Sequence, residues 1–173
     1  MDISLDTIKE LREMTSCGVI ECKKALEEAK GDMKKAKEIL QKRGLEMAAK
    51  KSGRAATEGR VEAYIHLGSK IGVLVEVNCE TDFVARSTDF VNFTKDLALH
   101  IAAVDPKYTR KEEVPAEILK EQSDKDTFIK ENCLLEQPFV KDPSITIQGY
   151  LNTIVAKVGE NIQIGRFVRF KVG

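Results

Sequence analysis

The residues of this chain best equipped for chemistry are Cys79, with His66 and His100 as available bases, and the neighbouring carboxylate and aromatic of Asp82-Phe83. A thiol beside an imidazole makes a nucleophile and general base for acyl transfer, provided a third group orients the ring and donors await the oxyanion. Cys79 instead closes an apolar run, both histidines sit in amphipathic patterns, and no orienting group or oxyanion signal accompanies them. A hydrolase is therefore the weaker expectation. The remaining cysteines, Cys17, Cys22 and Cys133, complete a set with four, 56 and 53 residues between chain neighbours. That spacing has no paired C-x-x-C and no closed zinc framework, so neither a metal nor a cofactor is expected. The small and basic stretch from Ala48 to Gly59 lacks Walker spacing and a preceding strand, which favours a solvated connector over a phosphate site.

Asp82 and Phe83 pose a different problem. The β-branched run Val73-Leu74-Val75-Glu76-Val77 ends in the polar turn Asn78-Cys79-Glu80-Thr81, which then presents a large aromatic next to a carboxylate where a buried core wants neither. An isolated phenylalanine ordinarily folds back over neighbouring strands, and an aspartate there is ordinarily a helix-dipole partner. Thr81 can cap a short turn containing Asp82, Phe83 and Val84, which fixes the aromatic in space instead of leaving it on a floppy loop.

The elements that must position this turn are legible on both sides of it. Upstream, Val61, Ala63 and Ile65 alternate with Glu62, Tyr64 and His66, and Gly68-Ser69-Lys70 turns the chain into Ile71 to Asn78. The pattern predicts an antiparallel hairpin whose second strand, apolar on nearly every residue, is covered on both faces. Downstream, Phe90, Phe93, Leu97, Ile101 and Val104 predict a helix capped by Ser87 or Thr88 and ended by Pro106.

The first 44 residues read as three short helices. Leu5, Ile8, Leu11 and Met14 recur at helical spacing after a Ser4 cap, and Ser16-Cys17-Gly18 breaks the pattern; Val19, Cys22, Leu26 and Ala29 form a second face ending at Gly31. Asp32 caps a third helix through Met33, Ala36, Ile39 and Leu40, stopped by Lys42-Arg43-Gly44. Three helices in about 40 residues make a compact bundle with a small core and modest stability, in a pattern that resembles a ubiquitin-associated domain. Residues 45–59 are expected to link it to a second unit, 60–173.

Within that unit the stretch 116–135 is hardest to read: Pro115 precedes a helix start, and Phe128, Ile129, Asn132, Cys133 and Leu135 carry a helical face interrupted by Ser123-Asp124-Lys125-Asp126. A turn-rich lead from Leu134 to Pro143 then enters a helix with Ile147, Leu151, Ile154, Val155 and Val158 on one side, stopped by Gly159. Ile162, Ile164, Val168, Phe170 and Val172 fall on one face of a last strand, with Arg166 the exception there and Gln163 and Arg169 opposite. Twenty-eight basic residues against 28 acidic ones leave no strong field to steer the chain towards nucleic acid or membrane, and a protein partner fits better. No signal peptide or long apolar run is visible, so reduced thiols in a bacterial-type cytoplasm are expected.

The run Asn78-Cys79-Glu80-Thr81-Asp82-Phe83-Val84-Ala85 resembles the most distinctive motif of the elongation factor Ts family, guanine nucleotide exchange factors of bacterial elongation factor Tu. Thr15-Ser16-Cys17-Gly18-Val19 with Cys22-Lys23-Lys24-Ala25-Leu26 resembles the family's amino-terminal module, and Gly159-Glu160-Asn161-Ile162 and Arg166-Phe167-Val168-Arg169-Phe170 its carboxy-terminal strand. The resemblance implies an α+β protein: a three-helix ubiquitin-associated-like module followed by a three-stranded antiparallel sheet packed with helices. It also implies that the helical excursion near Ser123, longer in family members, is trimmed here. It assigns Thr81, Asp82, Phe83 and Val84 to a wedge that dislodges Mg²⁺ and nucleotide in the partner, and Lys23 to a partner contact, with no covalent chemistry. Three strands leave an open edge and an uncovered face, which a homodimer would remove.

Overall fold

A computed structural model describes residues 3–15 and 17–173. In chain order the elements are α1 (Leu5–Thr15), α2 (Val19–Glu28), α3 (Met33–Lys51), β1 (Glu58–Ile65), β2 (Ile71–Cys79), α4 (Asp82–Ala85), α5 (Thr88–Val104), α6 (Ala116–Glu121), α7 (Lys125–Asn132), β3 (Pro138–Phe139), β4 (Asp142–Thr146), α8 (Ile147–Val158) and β5 (Ile162–Lys171). The fold is the expected α+β class. Among the described residues no helix is long and apolar enough to cross a membrane.

Helices α1 to α3 enclose a core of Ile8, Leu11, Cys22, Ala25, Leu26, Ala29, Ala36 and Leu40. Ser4 caps α1 by accepting the Thr7 amide at 3.1 Å, and Asp32 caps α3 by accepting that of Lys35 at 3.1 Å. Of the expected break before α2, Ser16 lies outside the described residues, while Cys17 and Gly18 lie between the helices. Val19, expected on the buried face of α2, is exposed at its first position.

The third helix does not stop at Lys42-Arg43-Gly44. It continues to Lys51, so residues 45–51 of the expected linker are helical and only 52–57 are irregular. The glycine that looked like a stop is a contact: Gly44 is buried, and a Cβ there would sit 3.7 Å from the Asn152 carbonyl and 3.8 Å from the Ala156 Cβ of α8. Gly44 thus lies on the face of α3 that packs against α8, and Ala48, one turn on, packs against the main core.

That core lies between one face of a three-stranded antiparallel sheet, ordered β1-β2-β5, and helices α4, α5 and α8. Phe90, Phe93, Leu97 and Ile101 of α5 and Ile147, Leu151, Ile154 and Val155 of α8 meet Val73, Val75, Val77 and Cys79 of β2. Ser87 caps α5, and Asp105, at φ 55°, ends it before Pro106; Gly159, at φ 76°, ends α8 in the same left-handed conformation. The expectation that β2 is covered on both faces is wrong: Leu74 is exposed, and the helices cover one side only. Strand β1 turns its apolar residues outward. Val61, Ala63 and Ile65 face solvent while Glu62 accepts a hydrogen bond from Thr94 of α5 at 3.2 Å.

The single-face reading of β5 also fails, because the strand carries a bulge. Val75 pairs with Phe167 and Val77 with Ile164, so one extra residue of β5 is accommodated opposite Glu76. An extra residue reverses which side every later side chain points to. Ile162 and Ile164 are buried, whereas Val168, Phe170 and Val172 are exposed, and Phe167 packs on the core side.

Between α5 and α8 the chain runs through α6 and α7, neither of which buries a residue fully. The predicted helical face through Leu135 breaks at Asn132: Cys133 bridges to Tyr108, Leu134 and Leu135 enter the core in a 3₁₀ turn, and β3 pairs with β4 in a small hairpin the sequence did not announce.

Candidate functional site

The turn after β2 is built by capping and anchoring. Thr81, extended at φ −130°, ends the strand and accepts the Val84 amide on its hydroxyl oxygen at 3.3 Å, which starts α4. Val84 and Ala85 are buried in the main core, so this single helical turn is nailed down at its back. Its front is free: Phe83 is 77% exposed, and it does not fold back over the hairpin. Asp82 beside it is exposed and accepts from the Arg86 guanidinium one turn on, at 2.5 Å. Ser87 then donates to the Val84 carbonyl at 2.8 Å while capping α5. The result is a fixed apolar tip with an adjacent carboxylate, carried on a two-helix corner.

The turn that follows α8 holds this corner from the other side. Glu160 accepts twice from Thr81, from the amide at 3.0 Å and from the hydroxyl at 2.7 Å. The contact is reciprocal, for Glu80 accepts the Asn161 amide at 2.6 Å. The buried Asn161 side chain donates to the carbonyls of Arg54 at 2.7 Å and Ser52 at 3.4 Å, just past α3, where the Lys51 ammonium reaches the Gly159 carbonyl. In the sequence Glu160 and Asn161 carry no signal beyond the family likeness of Gly159-Glu160-Asn161-Ile162. Nothing local announces a side chain that reaches 79 residues back along the chain.

The thiol and imidazole reading does not survive the geometry. Cys79 is buried, its thiol donates to the Thr81 carbonyl at 3.1 Å, and burial first, then the Glu160 carboxylate, push its pKa up to about 11. A protonated, enclosed thiol is no nucleophile. His66 is exposed beside Tyr64, 3.1 Å from its hydroxyl. His100 is fully buried: its Nε2 donates to Gln137 at 3.0 Å and its Nδ1 accepts the Val140 amide at 3.2 Å, an arrangement only the neutral ring can make. Burial lowers its pKa below the ordinary value, with Gln137 opposing. Neither ring is hydrogen-bonded to Cys79. No group of three or more His, Cys, Asp or Glu among the described residues is placed to hold a metal ion.

The other residues singled out by sequence are spread apart. Lys23 lies on the exposed side of α2, 3.9 Å from Glu27, in the helical bundle rather than the sheet core that carries the turn. Arg166 and Arg169 have unlike fates. Arg166 stands in solvent on the open face and donates to Glu76 at 3.0 Å, whereas Arg169 donates twice to the Ala102 carbonyl at 3.1 and 3.0 Å and closes the end of α5. On that same open face Ala63 pairs with Leu74 and Leu74 with Val168, while Phe170 is 66% exposed beside them. Val61, Ile65, Leu74, Val168 and Phe170 thus form a continuous uncovered apolar surface.

Comparison with known proteins gives a consistent result. A family model described as Elongation factor TS matches residues 6–125 and 124–173. The chain is 50% identical to "Elongation factor Ts" of Carboxydothermus hydrogenoformans, with 99% of this chain and 89% of that protein covered. It is 53% identical to the protein of that name from Alkaliphilus oremlandii, covering 100% and 90%, and 48% identical to that of Geobacter sulfurreducens, covering 100% and 91%. The alignments run over 194 to 196 positions against 173 residues here, so these relatives carry residues that this chain lacks. The two parts of the family match meet between α6 and α7, where the excursion reads as trimmed.

Proposed function

Because the chain belongs to the elongation factor Ts family, we propose that it is a guanine nucleotide exchange factor for elongation factor Tu in translation elongation, working in the cytoplasm and doing no covalent chemistry. It binds the GDP-bound partner, promotes GDP release by disturbing the partner's Mg²⁺ and phosphate sites through Thr81, Asp82, Phe83 and Val84, and stays on the nucleotide-free form until GTP rebinds. The observation that carries this reading is Phe83, a large apolar side chain held exposed on a capped, core-anchored turn. The cap and the buried back of the turn fix this side chain in space, so that a partner meets it already oriented.

A nucleotide held through phosphate contacts and Mg²⁺ is released by deforming the site, and a rigid apolar wedge does that without touching the metal. Phe83 inserts between helices of the partner's nucleotide domain while Asp82 competes for the hydrogen bonds that position the metal. Burying one phenylalanine yields roughly 1.5–3 kcal/mol, whereas nanomolar nucleotide affinity amounts to about 12 kcal/mol. The rest comes from a broad interface, to which the helical bundle contributes through the Lys23 face of α2. Reciprocity then lets nucleotide rebinding eject the factor.

The uncovered apolar face of the sheet supports a homodimer in which two such faces meet, since this chain carries a single sheet core. The wedge is tested by stopped-flow release of a fluorescent GDP analogue from elongation factor Tu. Phe83→Ala is expected to slow release at saturating factor by about tenfold while most of the binding persists. An unchanged rate removes Phe83 from the mechanism, and failure of the parent chain to form a nucleotide-free complex with elongation factor Tu removes the whole reading.

A further inference from the structure

We infer that Glu160 is a positioning residue for nucleotide exchange: its carboxylate clasps Thr81 and thereby sets the direction of Phe83. The inference rests on the proposed role of Phe83. The tip itself spans a single turn, too short to hold its own orientation, since a first helical turn fixes several dihedrals for one hydrogen bond. Val84 and Ala85 anchor the buried side of that turn, but Thr81 at its start is exposed and has two hydrogen-bond donors to satisfy. Both go to the two oxygens of one carboxylate, at 3.0 and 2.7 Å. Charge-assisted contacts of this kind are about twice as strong as neutral ones, and a pair of them fixes direction as well as distance.

Glu160 is itself held. It follows Gly159, whose left-handed conformation ends α8, and it precedes Asn161, whose backbone is tied to Glu80 and whose side chain is tied to the end of α3. The four residues Glu80, Thr81, Glu160 and Asn161 therefore form a reciprocal clasp in which each segment lends the other a carboxylate. Through Asn161 the clasp also reaches the helix that rises from the amino-terminal bundle. Docking of the bundle and aiming of Phe83 thus share one junction.

The test combines a double-mutant cycle with a measurement on the free protein. Glu160→Ala is expected to speed hydrogen exchange of the Thr81 amide about tenfold, the loss expected of a charge-assisted bond. In stopped-flow release of the GDP analogue from elongation factor Tu, the same variant is expected to lower the rate at saturating factor while leaving half-saturation near that of the parent. Combined with Phe83→Ala it adds nothing further, because a mis-aimed tip and a missing tip are the same defect. Glu160→Gln keeps the shape and one acceptor oxygen but loses the charge, and falls between parent and Ala in both measurements. Parent-like release or parent-like Thr81 protection in either variant overturns the inference, as does a multiplicative loss with Phe83→Ala. If Phe83→Ala alone releases nucleotide at the parent rate, the wedge reading has failed instead, and the two failures are told apart.

Discussion

Gly44→Ala separates two accounts of how the amino-terminal bundle joins the core. If α3 ended at Gly44, that residue would take the left-handed conformation of a helix stop, and alanine there would cost about 1 kcal/mol. In the structure Gly44 lies in the interior of a helix that runs on to Lys51, where alanine is favoured over glycine by about 1 kcal/mol. The new methyl has room: its nearest neighbours stand 3.7 and 3.8 Å away, ordinary van der Waals contact with the Asn152 carbonyl and the Ala156 methyl. Gly44→Ala is therefore expected to stabilise the chain by about 1 kcal/mol, a rise in melting temperature of about 2–4 °C at this size. Gly159→Ala provides the opposite sign in the same protein, since φ 76° strains any side chain there. Urea and thermal unfolding followed by far-ultraviolet circular dichroism read both variants. Destabilisation by Gly44→Ala would refute the continuous helix and with it the direct link from bundle to junction.

Three further outcomes follow from the geometry. Arg169→Ala removes two hydrogen bonds to the Ala102 carbonyl and is expected to cost about 2 kcal/mol in urea unfolding, whereas Arg166→Ala, in solvent on the open face, leaves the midpoint unchanged; equal effects would contradict the placement of Arg169 on the helix-covered face and Arg166 on the open one. Because burial lowers the His100 pKa, the unfolded chain binds a proton that the folded chain refuses, so stability is full above the ordinary histidine value of 6.5 and falls as pH drops through it. Comparing urea midpoints at about pH 7.5 and about pH 5.5 should show a loss of at most about 1.4 kcal/mol per pH unit that His100→Gln abolishes, and an unchanged slope in that variant would assign it to other groups. Phe170→Glu places a charge on the open sheet face and is expected to shift the chain to monomer in sedimentation equilibrium; an unaltered mass would exclude that face as the dimer contact.

Local pattern carried much of the architecture, because helices and hairpins are set by near neighbours. The caps at Ser4, Asp32, Thr81 and Ser87, the Gly68-Ser69-Lys70 turn and the stop at Gly159 all stand where residue chemistry puts them. Errors arose where a distant partner overruled the local signal. Gly44 reads as a stop until α8 is beside it, and β5 reads as one apolar face until pairing with β2 forces an extra residue opposite Glu76. The outward turn of Val61, Ala63 and Ile65 was not readable at all, since alternation shows that a strand has two faces and is silent on which one the helices cover.

The sequence by itself determined the class of fold, the family and the candidate tip, because a capped turn and a run such as Thr81-Asp82-Phe83-Val84 are properties of consecutive residues. Only the tertiary structure decided what Phe83 does when the chain is free, since exposure depends on what the rest of the molecule leaves uncovered. It alone brought Glu160 to Thr81. Hydrogen bonds between segments some eighty residues apart exist only after α8 has docked against the core, and no pattern of neighbours along the chain encodes them.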